Sequence, residues 1–462
     1  MNEEKISPRL LCAVAAAALM SFCGVVSETA MNVTFPTLMK ELGVGTSTVQ
    51  WLTTGYLLIL SLVIPLSSFL KKRVSAKPLF LTAAALFIGG TLVCVFAPGF
   101  GMLLLGRLLQ GAGTGIALPL MFNIILAQAP RSKIGLMMGI ASLICAMAPA
   151  VGPVLGGFVV EAYGWRMIFI VLLPLLLIAL GLGATAITPI GEKENEPFDA
   201  PAYLLVAVGF TAFIFATEQS SSYGWLSVNV LGLFAVAAVA LAAFAVKSLR
   251  SATPLVNLQV FRNKAFVCAL VFILITQFNV LSLGYLIPSY AQLVSHSSTT
   301  IAGMLLLPGC LVGAAIAPVS GQMFDRLGAK KPILTGAVLL IISTFLFGSY
   351  SHQLTTALFM GFYVVFTLGQ GFGVGNSMTY GLSQLPKEQS ADGNAVVNTL
   401  QQLSGAVGTS VCAGIVAAAQ NARPDDLAAA TMTGSSHAFW LLAVLAVIGA
   451  LSVWTALGQN KA

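Results

Sequence analysis

Apolar runs of about twenty residues or more, each long enough to cross a hydrocarbon core, follow one another along nearly the whole chain. The short stretches between them hold most of the charge. In lipid every backbone N–H and C=O must find its partner within the protein, and consecutive runs of this length satisfy that requirement as helices. Composition agrees. Of the 462 residues, 58% are hydrophobic and 8% charged, against roughly 25% charged in a soluble domain, so water is not the main solvent. The expected fold class is an all-α membrane protein.

Glycine, proline and charge clusters punctuate the runs. They place spans near 10–36, 47–70, 78–97, 101–127, 133–161, 165–188, 201–219, 227–246, 264–292, 298–323, 332–349, 354–381, 390–419 and 434–457, fourteen in all. The first run is longer than the apolar core of a cleaved signal, roughly 7–15 residues, and reads as a retained span. Under the positive-inside rule, Lys5, Arg9, Lys71, Lys72, Arg73, Lys77, Arg131, Lys133, Lys247, Arg250, Arg262, Lys264, Arg326, Lys330 and Lys331 fall on the cytoplasmic side. Little more than Lys40, Arg166 and Arg423 falls outside. An even number of spans then puts both termini in the cytoplasm, with the chain in the plasma membrane. The net charge of +7 is therefore a topology signal, and nucleic acid is not expected as a partner. The seven cysteines all sit inside apolar stretches without CxxC spacing, which points to neither a disulfide framework nor a metal site.

An internal echo organises the spans. Pro65-Leu-Ser-Ser-Phe-Leu-Lys-Lys-Arg-Val-Ser-Ala-Lys-Pro78 matches the pattern of Pro318-Val-Ser-Gly-Gln-Met-Phe-Asp-Arg-Leu-Gly-Ala-Lys-Lys-Pro332, each closing one span and opening the next. Two homologous six-helix bundles follow. The expected domains are an N-terminal bundle (1–188), a cytoplasmic linker with two inserted helices (189–250) and a C-terminal bundle (251–462). The acidic stretch Gly191-Glu-Lys-Glu-Asn-Glu-Pro-Phe-Asp199 introduces the insertion, as a solvated linker would.

Four strings occur in order on successive spans: Ser27-Glu-Thr-Ala-Met-Asn-Val-Thr-Phe-Pro36, Gly106-Arg-Leu-Leu-Gln-Gly-Ala-Gly113, Ala148-Pro-Ala-Val-Gly-Pro-Val-Leu-Gly-Gly157, and Gly164-Trp-Arg-Met-Ile-Phe169 with Pro174. Together they resemble the major facilitator superfamily, and within it the fourteen-span drug/proton antiporters that include quaternary-ammonium and lincomycin efflux proteins. The likeness covers nearly the entire chain. It implies the major facilitator fold with two extra transmembrane helices between the bundles. It also implies alternating access and a gating role for Gly152, Pro153, Gly156 and Gly157. The family's acidic first-helix motif usually has Asp where this chain has Glu28. Its loop motif between spans two and three normally carries an Asp that latches the cytoplasmic side; here Lys72 takes that place, and Ser68 and Ser75 replace its glycines. The second copy keeps Asp325, Arg326 and Gly328, so Asp325 and Arg326 are the gating residues expected there.

Glu28 and Arg107 read as the ionisable groups near mid-span. A charge there costs about 2.5–3.5 kcal/mol even on the lenient insertion scale, so it faces a cavity or a partner. A carboxyl that water or a cation can reach in one state and not in another takes up and releases a proton each cycle. A proton and a cationic solute competing for it would couple their fluxes. The alternative is a carboxyl paired permanently with Arg107 to fix packing. Ser21, Gly24, Asn32 and Phe35 share the helical stripe of Glu28, which favours the functional reading. Arg107 shares a face with Gln110, Gly111 and Thr114. Two roles stay open for it: electrostatic control of Glu28, or bonding between helices.

The glycines of span five bare its backbone for close packing, and Pro153 adds a bend. Substrate-lining candidates are Asn32, Trp51, Tyr56, Gln277, Tyr285, Gln370 and Asn398, with Asn279, Tyr363, Asn376, Asn394 and Gln401 beside them. As a set they describe an amphipathic cavity whose aromatic faces attract lipophilic cations; singly, each also fits interface anchoring or helix bonding. Glu161, Glu218 and Asp392 lie near predicted span ends, where interfacial water would solvate them, with Glu218 also open as a second cation or proton site.

His296, His352 and His437 fall at predicted span ends or in outer loops, no Ser-His, paired-aspartate or metal constellation appears within the spans, and no phosphate-cradling glycine loop followed by Lys-Ser/Thr occurs. An enzyme or an ATP-driven pump is therefore disfavoured. The expected function is proton-coupled efflux of amphipathic, often cationic, small molecules. The alternative is a dedicated exporter of one endogenous metabolite, peptide or lipid-like compound. Small-molecule substrates, protons and membrane lipids are the expected partners of a monomer that needs no cofactor or metal.

Overall fold

The computed structural model describes residues 7–130, 134–188, 199–224, 226–251, 254, 256–386 and 389–458. These form α1 (Pro8–Leu42), α2 (Thr46–Arg73), α3 (Ala76–Val95), α4 (Phe100–Gln128), α5 (Ile134–Tyr163), α6 (Arg166–Ala186), α7 (Ala200–Tyr223), α8 (Val228–Arg250), α9 (Lys264–Leu293), α10 (Thr299–Met304), α11 (Leu307–Leu327), α12 (Lys330–Ser349), α13 (Thr356–Ser383), α14 (Ser390–Ala422) and α15 (Leu427–Gly458). A short 3-10 turn, Leu258–Arg262, precedes α9. No strand occurs among the described residues. Thirteen segments are long and apolar enough to cross a membrane, α10 and α11 counting together as one. With α5, whose only Asp, Glu, Lys or Arg is Glu161, the fourteen spans are complete.

Local chemistry sets the helix ends. Ser7 accepts a hydrogen bond from the Leu10 amide at the start of α1, and Gly43 closes that helix in the left-handed region at φ 63°, where a Cβ would be strained. Asp199 caps α7 by accepting from the Ala202 amide and also pairs with Lys247 at the end of α8 (3.2 Å), tying the hairpin's two ends together. The spans overrun their predicted limits wherever proline served as punctuation. Pro36 lies inside α1: Gln292 Nε2 donates to the neighbouring Val33 carbonyl (2.9 Å), the kind of outside partner that lets a transmembrane helix continue past proline.

The packing repeats. In the first half α1 contacts α4, α5 and α6, α3 contacts α4 and α6, and α2 contacts α4. In the second half α9 contacts α13, α14 and α15, α12 contacts α13 and α15, and α11 contacts α13. Between the halves α2 lies on α14, α5 on α10 and α11, and α1 on α9. The α7–α8 hairpin packs through α7 against α2 and α14, beside one of these seams.

Three bonds across the seams lie at the end where α1 finishes and α2 begins. Thr46 donates to Gln420 (2.6 Å), Gln292 to the Val33 carbonyl, and the Thr300 amide to Glu161 (2.8 Å). Glu161 therefore does more than meet solvent: it accepts from the first turn of α10.

The glycine run of span five serves two neighbours. A methyl on Gly156 would lie 2.8 Å from the Ala30 carbonyl oxygen, and one on Gly152 would run into the Thr29 hydroxyl, both on α1. A methyl on Gly157 would lie 2.6 Å from the Thr299 carbonyl oxygen, while Gly303 on α10 sits directly against the Pro153 carbonyl. Helix α5 is thus bare on two sides, against its own bundle and against the other half.

At the opposite end Asp325 and Arg326 are exposed and make no hydrogen bond or ion pair among the described residues. The Lys72 side chain and the linker residues 189–198 lie outside the described residues.

Candidate functional site

Arg107 is fully buried where α1, α2 and α4 cross. Nη1 donates to the Ser27 hydroxyl (2.8 Å) and to Gln110 Oε1 (2.7 Å), and Nε donates to the Leu52 carbonyl (3.1 Å). Its carbon centre lies 4.3 Å from the centroid of the Tyr56 ring, a cation–π contact in a site closed to water. Gln110 is held by donating to Thr91 (2.9 Å). Tyr56 donates to the Gly24 carbonyl (3.1 Å) and to Thr114 (2.9 Å), and Gly111 lets the Tyr56 backbone approach, since a methyl there would lie 2.7 Å from its carbonyl oxygen. The face predicted for Arg107 is the face observed. Of that face Gln110 bonds the guanidinium, while Gly111 and Thr114, one turn on, hold the Tyr56 ring against it. Nη2 has no hydrogen-bond partner among the described residues.

Glu28 follows Ser27 on α1 and is 7% exposed. Among the described residues its carboxylate forms no hydrogen bond and no ion pair, with Arg107 or with any other group. The permanent Glu28–Arg107 pair is therefore not what the structure contains. Arg107 is instead bound by neutral acceptors and an aromatic ring, and one of those acceptors, Ser27, directly precedes Glu28 in the chain. Ser21, Gly24, Asn32 and Phe35 are buried with Glu28, so the polar stripe of α1 turns inward.

One turn on, Asn32 accepts from Thr53 of α2 (2.9 Å). Phe35 and Tyr285 of α9 meet with ring centroids 6.0 Å apart. The structure thus brings Glu28, Asn32, Tyr56, Arg107 and Tyr285 together around α1.

The other candidates lie elsewhere. Trp51 turns away from the cluster and meets Phe215 of α7, with centroids 4.8 Å apart. Gln277 accepts from Gln401 (3.3 Å) between α9 and α14. Asn398 is half-buried and donates back to the Asn394 carbonyl on its own helix (2.8 Å). Gln370 is half-buried on α13. Asn376 donates to Ser320 (2.6 Å).

Glu218 departs furthest from expectation. Helix α7 continues past it to Tyr223, so it lies inside the helix and is 7% exposed; interfacial solvation does not describe it. It accepts from Thr54 of α2 (3.4 Å), and Thr54 in turn bonds Ser410 of α14 (2.8 Å). The polar positions Ser27, Thr54, Thr91 and Ser410 had no distinguishing signal in the sequence, because small hydroxyl residues occur throughout the spans and mostly bond their own helix.

The family profile described as "Major Facilitator Superfamily" matches residues 17–409. Lincomycin resistance protein LmrB of Bacillus subtilis is 34% identical over 447 residues, covering 94% of this chain and 93% of that protein. The Multidrug resistance protein B homolog of Mycobacterium tuberculosis is 30% identical over 421 residues, covering 88% and 76%. Among solved structures, a bacterial homologue of the human lysosomal transporter Spinster superposes with a TM-score of 0.72 at 14% identity, covering 98% of each chain. The POT family transporter PepTSo gives 0.71 at 14% identity over 99% of each chain. The paired bundles, the inward-turned polar stripe of α1, the family match and the full-length relatives agree: this multi-pass membrane protein belongs to the Major Facilitator Superfamily.

Proposed function

We propose that the protein exports amphipathic, often cationic, small molecules in exchange for protons, by alternating access between two bundles, residues 1–188 and 251–462, with 189–250 as the insertion. It works as a monomer in the plasma membrane, surrounded by lipid and with both termini in the cytoplasm. The observation that carries this reading is Glu28: a buried carboxyl on an inward face that forms no hydrogen bond or ion pair among the described residues. Such a group binds either a proton or a solute cation, and the two exclude one another. Arg107, held in place by Ser27, Gln110 and Leu52, sets the field in which that exchange occurs. Asn32, Tyr56 and Tyr285, buried around the same helix, are the side chains that meet the solute when the bundles part. The bare side of α5 at Pro153 and Gly157 is the surface on which one bundle moves against α10, while Gly152 and Gly156 seat the gating helix closely on α1. The seam bonds at the α1–α2 end and the exposed Asp325 and Arg326 at the other fit a state sealed toward the outside.

The names of the relatives support the efflux reading: they describe lincomycin and multidrug resistance. The test is ethidium efflux from membrane vesicles under an imposed pH gradient. Efflux that collapses with the gradient is expected, and efflux indifferent to it overturns proton coupling. A relative named Riboflavin transporter RibZ, 24% identical over 433 residues, favours a second reading, export of one endogenous compound. Untargeted comparison of the medium around deletion and overexpressing cells separates the two, because a dedicated exporter leaves one dominant compound.

A further inference from the structure

Helices α7 and α15 both pack on α14, and the gap between them is a groove of about 560 Å³ at the end of the bundle where α14 finishes and α15 begins. Its floor is one face of α14, on which Gly414, Ile415, Ala418 and Ala422 recur at helical spacing. From Val411 to Ala422 the floor runs about 16 Å at the helical rise, all of it apolar. The end of α7 at Ser220 and its cap Gly224 forms one wall, and α15 the other. Gly434 brings α15 close, since a methyl there would lie 2.8 Å from the Val416 Cα. Thr433 and His437, a turn apart on α15, edge the groove.

Two nitrogen-bearing side chains stand against this apolar lining. Arg423, the residue that ends α14, lies at one end of the groove, and His437 lies roughly two turns, or 10 Å, further in. Both are exposed, and neither side chain makes a hydrogen bond or ion pair among the described residues. Water satisfies an arginine at a membrane surface. It does not reach a histidine on the outward side of an apolar span, where ionisable side chains rarely point unless something there receives them.

From this geometry we infer a binding site for one glycerophospholipid, with its phosphate on Arg423, an ester carbonyl on the His437 ring N–H and one acyl chain along the α14 floor. The guanidinium offers paired N–H donors to phosphate oxygens. Helical side chains lean toward the N-terminus of their helix, so His437 leans toward the Arg423 end, where the phosphate and the ester groups of a lipid lie together. Asp425 and Asp426 follow Arg423 without lining the groove, and Asp426 accepts from the Ala429 amide (3.0 Å). Their charge weakens the pull on a free anion, so an anion that apolar surface also holds is the one favoured. A lipid seated here joins α7 of the inserted hairpin to α15. In the orientation proposed above it belongs to the outer leaflet, and its binding does not depend on proton exchange at Glu28.

The experiment uses the purified full-length protein in maltoside detergent without added phospholipid. Phosphatidylglycerol with a diazirine on its acyl chain is photocrosslinked, in parallel with a diacylglycerol bearing the same chain, and labelled peptides are identified by mass spectrometry. The phospholipid should label residues 411–422, 430–440 or 200–224, and the diacylglycerol at least about tenfold less at equal concentration, for want of charged hydrogen bonds. Combining Arg423→Gln with His437→Leu should bring the phospholipid down to the diacylglycerol level, whereas Arg423→Lys should keep part of the labelling. Equal labelling by the two probes, or labelling spread evenly over the spans, overturns the assignment. So does labelling abolished by inorganic phosphate, which would mark a small-anion site. The comparison of probes on the wild type decides even if the double variant fails to fold, and Glu28→Gln should label as the wild type does, which separates this site from the proposed exchange.

Discussion

Where α3 crosses α4, a methyl on Gly90 would lie 2.6 Å from the Gly106 carbonyl oxygen and 2.9 Å from the Gln110 nitrogen. Where α12 crosses α13, a methyl on Gly336 would lie 2.7 Å from the Gly369 carbonyl oxygen and 2.6 Å from the Gly373 nitrogen. The two crossings superpose Gly106 on Gly369 and Gln110 on Gly373, which puts Gln370 in the place of Arg107. The same holds at the next contact. A methyl on Gly156 meets the Ala30 carbonyl oxygen at 2.8 Å and its Cα at 3.0 Å, and one on Gly408 meets the same atoms of Phe278 at 2.6 and 3.0 Å. That alignment sets Thr276 against Glu28. Thr276 bonds the Phe272 carbonyl of its own helix (2.8 Å), and Gln370 makes no hydrogen bond among the described residues. Both halves therefore share a backbone scaffold of glycine contacts, and one half carries the charge. The scaffold does not require an arginine or a glutamate at these places, which argues that Glu28 and Arg107 serve the transport cycle.

Erasing the acid should have the largest effect. Glu28→Gln should reach the membrane at wild-type level and lose gradient-driven ethidium efflux, whereas Glu28→Asp should retain part of it because a titratable group survives. Wild-type efflux from the glutamine variant would remove Glu28 from the mechanism. Next, Arg107→Gln makes the first half resemble the second. It forfeits charged hydrogen bonds of about 1.5–3 kcal/mol each, yet it should remain folded by thermal unfolding in detergent while efflux falls at least tenfold, roughly 1.4 kcal/mol or more in barrier terms. Loss of the folded protein would show that the charge is structural and break the comparison.

Gly157→Ala acts on the scaffold itself. Its methyl would press on the Thr299 carbonyl, and overpacking of that kind costs about 1–3 kcal/mol, to be seen as a lower melting temperature together with slower efflux. Gln370→Ala should do least. Stability should stay within about 0.5 kcal/mol of wild type, as for substitutions that break no contact, with efflux nearly unchanged; a large defect would reveal a substrate contact on α13.

The span pattern, the repeat and the shared face of Arg107, Gln110 and Thr114 were legible in the sequence because each depends on neighbours along one helix. Glu28 was legible because an acid in the middle of an apolar run has no bland explanation of comparable simplicity. Trp51 and Glu218 were not. Trp51 sits on the same helix as Tyr56, and only the docking of α7 turns it toward Phe215 while Tyr56 faces Arg107. Glu218 resembled an interfacial residue because its distance from the predicted helix end was underestimated by about a turn. Pro36 misled because a proline breaks an isolated helix, whereas here α9 packs alongside and Gln292 bonds the Val33 carbonyl, next to the one that Pro36 leaves free.

Hydrophobic run length and helical periodicity, properties of chain segments acting with the solvent alone, determined that this chain spans a membrane as paired helical bundles with an acid on an inward stripe. Tertiary structure decided which groups meet. Whether Arg107 bonds Glu28 or Ser27, and whether Glu218 meets water or Thr54 of α2, depends on which helices come together, because a side chain a few ångströms long is partnered by whatever surface packing brings within its reach.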